Sequence, residues 1–399
     1  DHVDNQIRTI YGTLQADITE NTTATLSINH QKRDITPFNG LPAVLGGTEL
    51  LDIDRSTFTG MAWNHFESTI TDYIGEIEHR FDDGGHVKAS ARYSDRSADY
   101  LYAFAGSGAT ANGIIQRVNW TARTFEETAL ALDAHLSKPF ELWGKENNLI
   151  VGADYRNFSN SWINLSGFQM GSFDLNNWNP NAVARPPLNF AAGIPTASDL
   201  RQYGIYGQWR FKPLDNLTLI GGGRLTWVDL ATLTTDQSID AEFTPYAGII
   251  YDITDRVSAY ASFTQIFQPQ TDVTFAGDIV GPRTGRQFEV GLKANLFDDV
   301  NASIAYFNLR DNNRAVRDPG NTAFAVAQGQ AKLQGLELEL TGSLTPNWQV
   351  AGGYTYTDTE FVNTTNFQGA EFYTPRHMLQ AWTKYNFDER HGILDKAFV

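Results

Sequence analysis

The chain has 399 residues, 46 acidic against 30 basic side chains for a formal net charge of −16, and no cysteine. The acidic balance leaves no basic excess to neutralise phosphates and argues against a nucleic-acid partner. The missing cysteines exclude a disulfide framework, a thiolate metal site and a cysteine nucleophile. No run of about 18 apolar residues is present, so no membrane-spanning helix is predicted. A content of 13% aromatic residues and 34 glycines is high for a soluble helical enzyme and normal for a barrel with aromatic girdles.

In chain order the same pattern returns. Ile10, Gly12, Leu14 and Ala16 alternate with Tyr11, Thr13, Gln15 and Asp17, and after a short turn Ala24, Leu26 and Ile28 alternate with Thr25, Ser27 and Asn29. Val87, Ala89, Ala91 and Tyr93 alternate with Lys88, Ser90, Arg92 and Ser94, and later Phe288, Val290, Leu292 and Ala294 alternate with Glu289, Gly291, Lys293 and Asn295. Period two marks strands with one apolar and one wet face. The pattern predicts 15 strands at about 6–17, 23–33, 66–81, 86–104, 115–136, 147–162, 200–211, 216–230, 240–252, 257–267, 286–297, 300–315, 330–344, 347–361 and 376–387. Tight turns ("ITENT", "DDGG", "PLDN", "DITDR", "FDDV", "LTPNW") take every other connection, and most of the rest are long: 34–65, 163–199, 268–285 and 362–375.

Short turns at one end and long loops at the other predict an all-β, transmembrane antiparallel barrel. A soluble sandwich also alternates, but its strands usually run about 5–6 residues and its loops have no reason to sort by length. In "LQGLELELTGSLTPNWQVAGGYTYTD", Leu336, Leu338 and Leu340 face lipid while Glu337 and Glu339 face a polar lumen. Trp348, Tyr385 and Phe387 suit an aromatic girdle at the short-turn rim. No linker interrupts the series, so residues 1–399 are read as one barrel domain. The chain opens on "DHVDNQIRTIYG" without a signal peptide, and it is expected to be a fragment cut at both ends.

The residues offer no recognisable catalytic set. The eight histidines make no HExxH and no close pair with ligand spacing, and neither GxSxG nor a Walker loop occurs. Gly221–Gly223 lie inside a strand, where backbone flexibility or close packing in the wall is their expected role. The chain is therefore expected not to be an enzyme, with no catalytic and no metal-ligating residues. The loops are richer. Tyr100, Tyr102, Phe104 and Trp120 in one segment, and Trp162, Phe168, Phe173 and Trp178 in another, put aromatics beyond the lipid band. There they can stack on a planar ligand or simply pack loop on loop. Tyr100, Tyr102, Phe104, Trp120, Trp162, Phe168 and Trp178 are the candidate ligand-binding residues.

The last third carries a resemblance. "YASFTQIFQPQ" (Phe267, Gln268, Pro269, Gln270) is followed by a Gly-rich loop, by G-x-x-x-E-x-G-L-K at Gly285, Glu289, Gly291, Leu292 and Lys293, by "NASIAYFNL", by "GLELELTGSLTPNWQVAGGYTYTDTEF", and by "PRH" at 375–377. This ordered set, with "YGTLQADITENTTATLSINHQ" near the start, resembles the TonB-dependent siderophore receptors. Gly281 ahead of Pro282 departs from the family's usual wording. The resemblance implies that these strands are the fourth to eighteenth of a 22-stranded barrel, with three strands and a TonB-contacting plug before Asp1 and four strands after Val399. It also implies import of a ferric siderophore across a Gram-negative outer membrane, energised through TonB. The protein would have no cofactor of its own; outer-membrane lipid would surround it, and nucleic acid would not be a partner. A receptor of the same build for haem, cobalamin or an oligosaccharide is the alternative, and a passive porin a more distant one. A haem receptor would need loop histidines, for which only His65 and His377 are placed.

Overall fold

A computed structural model describes residues 3–47, 50–54, 56–297, 299–362, 374–387 and 397–398. Fifteen strands follow in order: β1 (Asn5–Thr19), β2 (Thr22–Ile35), β3 (His65–Arg80), β4 (His86–Ala105), β5 (Ile114–Leu142), β6 (Lys145–Asp174), β7 (Ile194–Leu214), β8 (Leu217–Thr232), β9 (Asp236–Thr254), β10 (Val257–Gln268), β11 (Arg283–Leu296), β12 (Val300–Arg317), β13 (Ala325–Thr345), β14 (Trp348–Phe361) and β15 (His377–Tyr385). One 3-10 turn, Phe190–Ala192, precedes β7. Each strand pairs antiparallel with its chain neighbours in a single sheet ordered β1 to β15. Among the described residues β1 and β15 do not pair with each other, and in hydrocarbon such edges require partner strands for their N–H and C=O groups.

The registers carry the two faces across the whole sheet. One row runs Leu14, Leu26, Gly75, Ala91, Leu132, Tyr155, Tyr203, Trp227 over β1–β8. Another runs Leu219, Ile249, Ala261, Val290, Tyr306, Leu336, Tyr356 over β8–β14. The opposite face carries Gln15, Thr25, Glu76, Ser90, Asp133 and Asp154 in register. Because neighbours in a row share one face, a continuous apolar band covers the outside and a polar one the inside. Inward side chains bond to each other: Tyr206 Oη donates to Asp133 at 2.6 Å, and Tyr260 Oη to Glu289 at 2.6 Å. Glycine makes room for such rings. A Cβ on Gly152 would sit 2.4 Å from Tyr206, and one on Gly222 would sit 2.5 Å from the Tyr246 hydroxyl; close approach is thus the part played by the middle glycine of the 221–223 run. The short-turn rim holds Trp209, Phe211 and Trp143, with Trp348 Nε1 donating to Thr383 at 2.7 Å.

The largest differences from the sequence reading lie around the β5–β6 hairpin. β5 and β6 extend to 29 and 30 residues, so the 163–199 loop shrinks to 175–193. The extension, 163–174, carries Asn164, Ser166, Gly167 and Gly171. Once a strand has left the lipid, its outer face no longer needs grease and the apolar contrast disappears. At the other end of this hairpin, Trp143 (φ 53°) and Gly144 (φ 70°) both occupy the left-handed region, as a two-residue hairpin turn of the I′ kind requires. That turn has only one residue of the usual composition, and the sequence pattern passed over it. Most of the expected 362–375 loop falls outside the described residues.

Candidate ligand-binding site

At the end of the strands opposite the short-turn rim, β3–β6 continue past the lipid band toward the long loops, and their two faces part company. On the inward face four rows stack. The lowest pairs Phe125 with Trp162. Above it Phe66, Tyr100, Arg123 and Asn164 lie in register across four strands. Above these come Tyr102 and Thr121, then Phe104, Asn119 and Phe168. Phe66 and Tyr100 stack with centroids 5.6 Å apart and planes 11° apart. Tyr100–Tyr102 and Tyr102–Phe104 follow at 5.5 and 5.9 Å, and Phe125–Trp162 at 6.3 Å.

Arg123 ties the rows together. Its guanidinium lies 5.8 Å from the Tyr100 ring centroid and 5.6 Å from that of Trp162, within cation–π range. One of its nitrogens reaches Asn164 Oδ1 at 3.4 Å, and its Nε is buried without a hydrogen-bond partner. Burial pushes the Tyr100 phenol above its ordinary value, so it remains a donor. Arg117 lies 5.8 Å from the exposed Phe168 ring while its own N–H groups donate to Gly106 O. The result is a half-buried wall of rings with a fixed cation set among them. Such a wall can take a planar ligand face and an anionic oxygen together.

The other face of the same strands is closed. Leu101, Ala103, Val118 and Ala122 are 0–2% exposed. The described residues of 36–64, together with 175–193, fold against this side of the strands, and Met61, Ile115, Phe173, Leu175 and Val183 join Ala103 and Val118 in one hydrophobic core with Trp63, Trp120 and Trp178 at its margin. Trp178 Nε1 donates to Gly60 O at 2.8 Å, and Trp63 Nε1 to Val183 O at 2.9 Å. The Asn64 amide closes on the Ala103 backbone in both directions, at 3.1 and 2.8 Å. A Cβ on Gly167 would meet Trp120 at 2.5 Å.

Of the seven residues picked out from sequence, Tyr100, Tyr102, Phe104, Trp162 and Phe168 thus share the inward face, whereas Trp120 and Trp178 pack in the loop core, as Phe173 does. Phe66, Phe125 and Arg123 were missed. Each sits within a strand, and only the cross-strand register brings it to the wall. His65 and His377 both lie on the outward-facing register, bonded to Asp99 at 3.1 Å and Tyr354 at 2.9 Å, so neither points into the mouth. Among the described residues no group of three or more His, Asp or Glu side chains gathers as a metal site.

Known proteins share this architecture. A family described as "TonB dependent receptor-like, beta-barrel" matches residues 10–396. The ferric-pyoverdine M114 receptor of Pseudomonas sp. (strain M114) is 29% identical over 98% of this chain and 50% of its own length. The ferric-pyoverdine BN7/BN8 receptor of Pseudomonas putida is 30% identical over 100% and 51%. The chain thus spans about half the length of these curated relatives. The crystal structure of the Pseudomonas aeruginosa ferripyoverdine receptor bound to ferripyoverdine superposes with a TM-score of 0.85 at 26% identity, over 97% of this chain and 53% of that one. With residues 10–396 matched, this chain belongs to the TonB-dependent receptor β-barrel family, whose members are receptors and transporters rather than enzymes.

Proposed function

We propose that the chain forms most of the wall of an outer-membrane receptor that imports a ferric siderophore. The ligand is bound at the outer mouth, and transport is energised through TonB. The observation that carries this reading is the inward wall of Phe66, Tyr100, Arg123, Phe125 and Trp162, which offers stacked rings and a cation with an unused donor. A ferric complex carries flat aromatic or hydroxamate-like faces and anionic oxygens. The wall matches both, and the relatives named for ferric pyoverdine favour that class. Iron is cargo in this scheme; the chain supplies the walls and orients the complex. A haem receptor is disfavoured because His65 and His377 point away from the mouth.

The test uses the full-length protein. Titration with a ferric pyoverdine-type siderophore should quench tryptophan fluorescence at submicromolar ligand. Arg123→Gln should weaken binding by about tenfold, a cation–π and charge-assisted contact being worth about 1–2 kcal/mol. Uptake in cells should stop when the proton gradient is collapsed. Uptake indifferent to the gradient would instead favour a passive pore.

A further inference from the structure

At the long-loop end of β11–β13 the outward face carries an unusual row. Arg286 pairs in register with Arg310, and Arg310 with Lys332. Three cations therefore stand side by side on adjacent strands, about 4.5–5.5 Å apart at their Cβ atoms. Like charges directly opposite on a sheet repel. Even so, none of the three makes a side-chain hydrogen bond or ion pair among the described residues, and Arg286 and Arg310 are exposed. The cations on the other face nearby are handled differently: Arg283 and Arg314 both bond to the buried Asp311, at 2.6 and 2.8 Å.

The setting of the row says what it awaits. Toward the membrane, the next outward row is Phe288, Asn308 and Gln334, and the one after it Val290, Tyr306 and Leu336. An occupant must therefore be anionic at the level of the cations and apolar just below. Elsewhere at this height the outward face is acidic or balanced: Glu67, Asp95, Asp99 and Glu126 lie on β3–β5, with Lys32 paired to Glu67 at 2.9 Å. The positive row is local, on a chain of net charge −16.

We propose that Arg286, Arg310 and Lys332 bind the phosphate of an acylated, phosphorylated lipid of the outer leaflet. Two guanidiniums and an ammonium share the phosphate oxygens, which removes their mutual repulsion. The acyl chains lie along Val290, Tyr306 and Leu336. The site is independent of which siderophore the receptor takes.

The experiment uses the full-length receptor in a neutral sugar detergent, with lipid binding read by native mass spectrometry. The probes are a bisphosphorylated acylated disaccharide lipid, its enzymatically dephosphorylated form, and inorganic phosphate. The wild type should retain the phosphorylated lipid and release the dephosphorylated one, and millimolar phosphate should compete poorly. The R286Q/R310Q/K332Q variant should bind the phosphorylated lipid roughly 100-fold more weakly. Without lipid it should melt at the wild-type temperature or above, because the repulsion is gone; with the phosphorylated lipid only the wild type should gain stability. If the triple variant fails to fold, Arg310→Gln alone, which removes the central cation, is expected to lose most of the binding. Equal retention of both lipids, equal binding by wild type and variant, or full displacement by inorganic phosphate would each overturn the proposal.

Discussion

The two faces of β4–β6 above the lipid band use the same kinds of residue for opposite ends. Tyr100, Tyr102 and Phe104 alternate along one strand with Leu101, Ala103 and Ala105. The first set stays half-open toward the barrel axis, while Leu101 and Ala103 are buried under the described residues of 36–64 and 175–193. Trp162 stands on the open face beside a free guanidinium nitrogen, whereas Trp120 and Trp178 stand on the closed one. An aromatic in a receptor loop is thus not a ligand contact by virtue of its type. The parity of its strand position, and what covers that face, decide its role.

The comparison can be broken in several ways. The largest effect is expected in the closed face. Met61→Ala should cost the loop core about 2–5 kcal/mol, seen as protease cleavage within 36–64 while the barrel keeps its heat-modifiable migration; cleavage unchanged from wild type would deny that Met61 anchors the loops. Next comes the lipid band, where Leu338→Arg should cost about 2–4 kcal/mol near the midplane and Glu337→Gln, facing the lumen, far less. A folding titration in lipid that treats the two alike would reverse the assigned faces. On the open face, Trp162→Ala should weaken ferric-siderophore binding by about 3–10-fold through lost stacking without altering loop protection, as measured by calorimetry beside limited proteolysis. The smallest effect belongs to Trp178→Phe, which removes one hydrogen bond to Gly60 O for about 1 kcal/mol and should leave ligand affinity unchanged.

Much of the wall was legible because lipid and water impose opposite demands at every second residue. That is why 15 strands, their order and the inward place of Glu337 and Glu339 follow from alternation alone. Legibility fails where that contrast fails. Past Trp162 the β6 extension meets water on one face and loop on the other, and its Asn, Ser and Gly residues read as loop. The shared face of Tyr100, Tyr102 and Phe104 is also visible in one strand. Arg123 is not, because its place between Tyr100 and Trp162 depends on the registers of β4, β5 and β6, which no local pattern encodes. Trp178 sits in an irregular segment with no period at all, so only the fold assigns it to the core.

Thr121 and Ala122 are neighbours on β5 that face opposite ways, Thr121 half-open on the aromatic wall and Ala122 fully buried under the loops. Single substitutions Thr121→Cys and Ala122→Cys, placed in a full-length receptor otherwise free of accessible thiols, allow each face to be labelled with a maleimide on intact cells. The account predicts that position 121 labels readily without ligand and is protected by saturating ferric siderophore, while position 122 stays unlabelled in both conditions. Labelling of position 121 that is unaffected by bound ligand, or protection that appears at 122 instead, would contradict the claim that the inward aromatic wall is where the ligand sits.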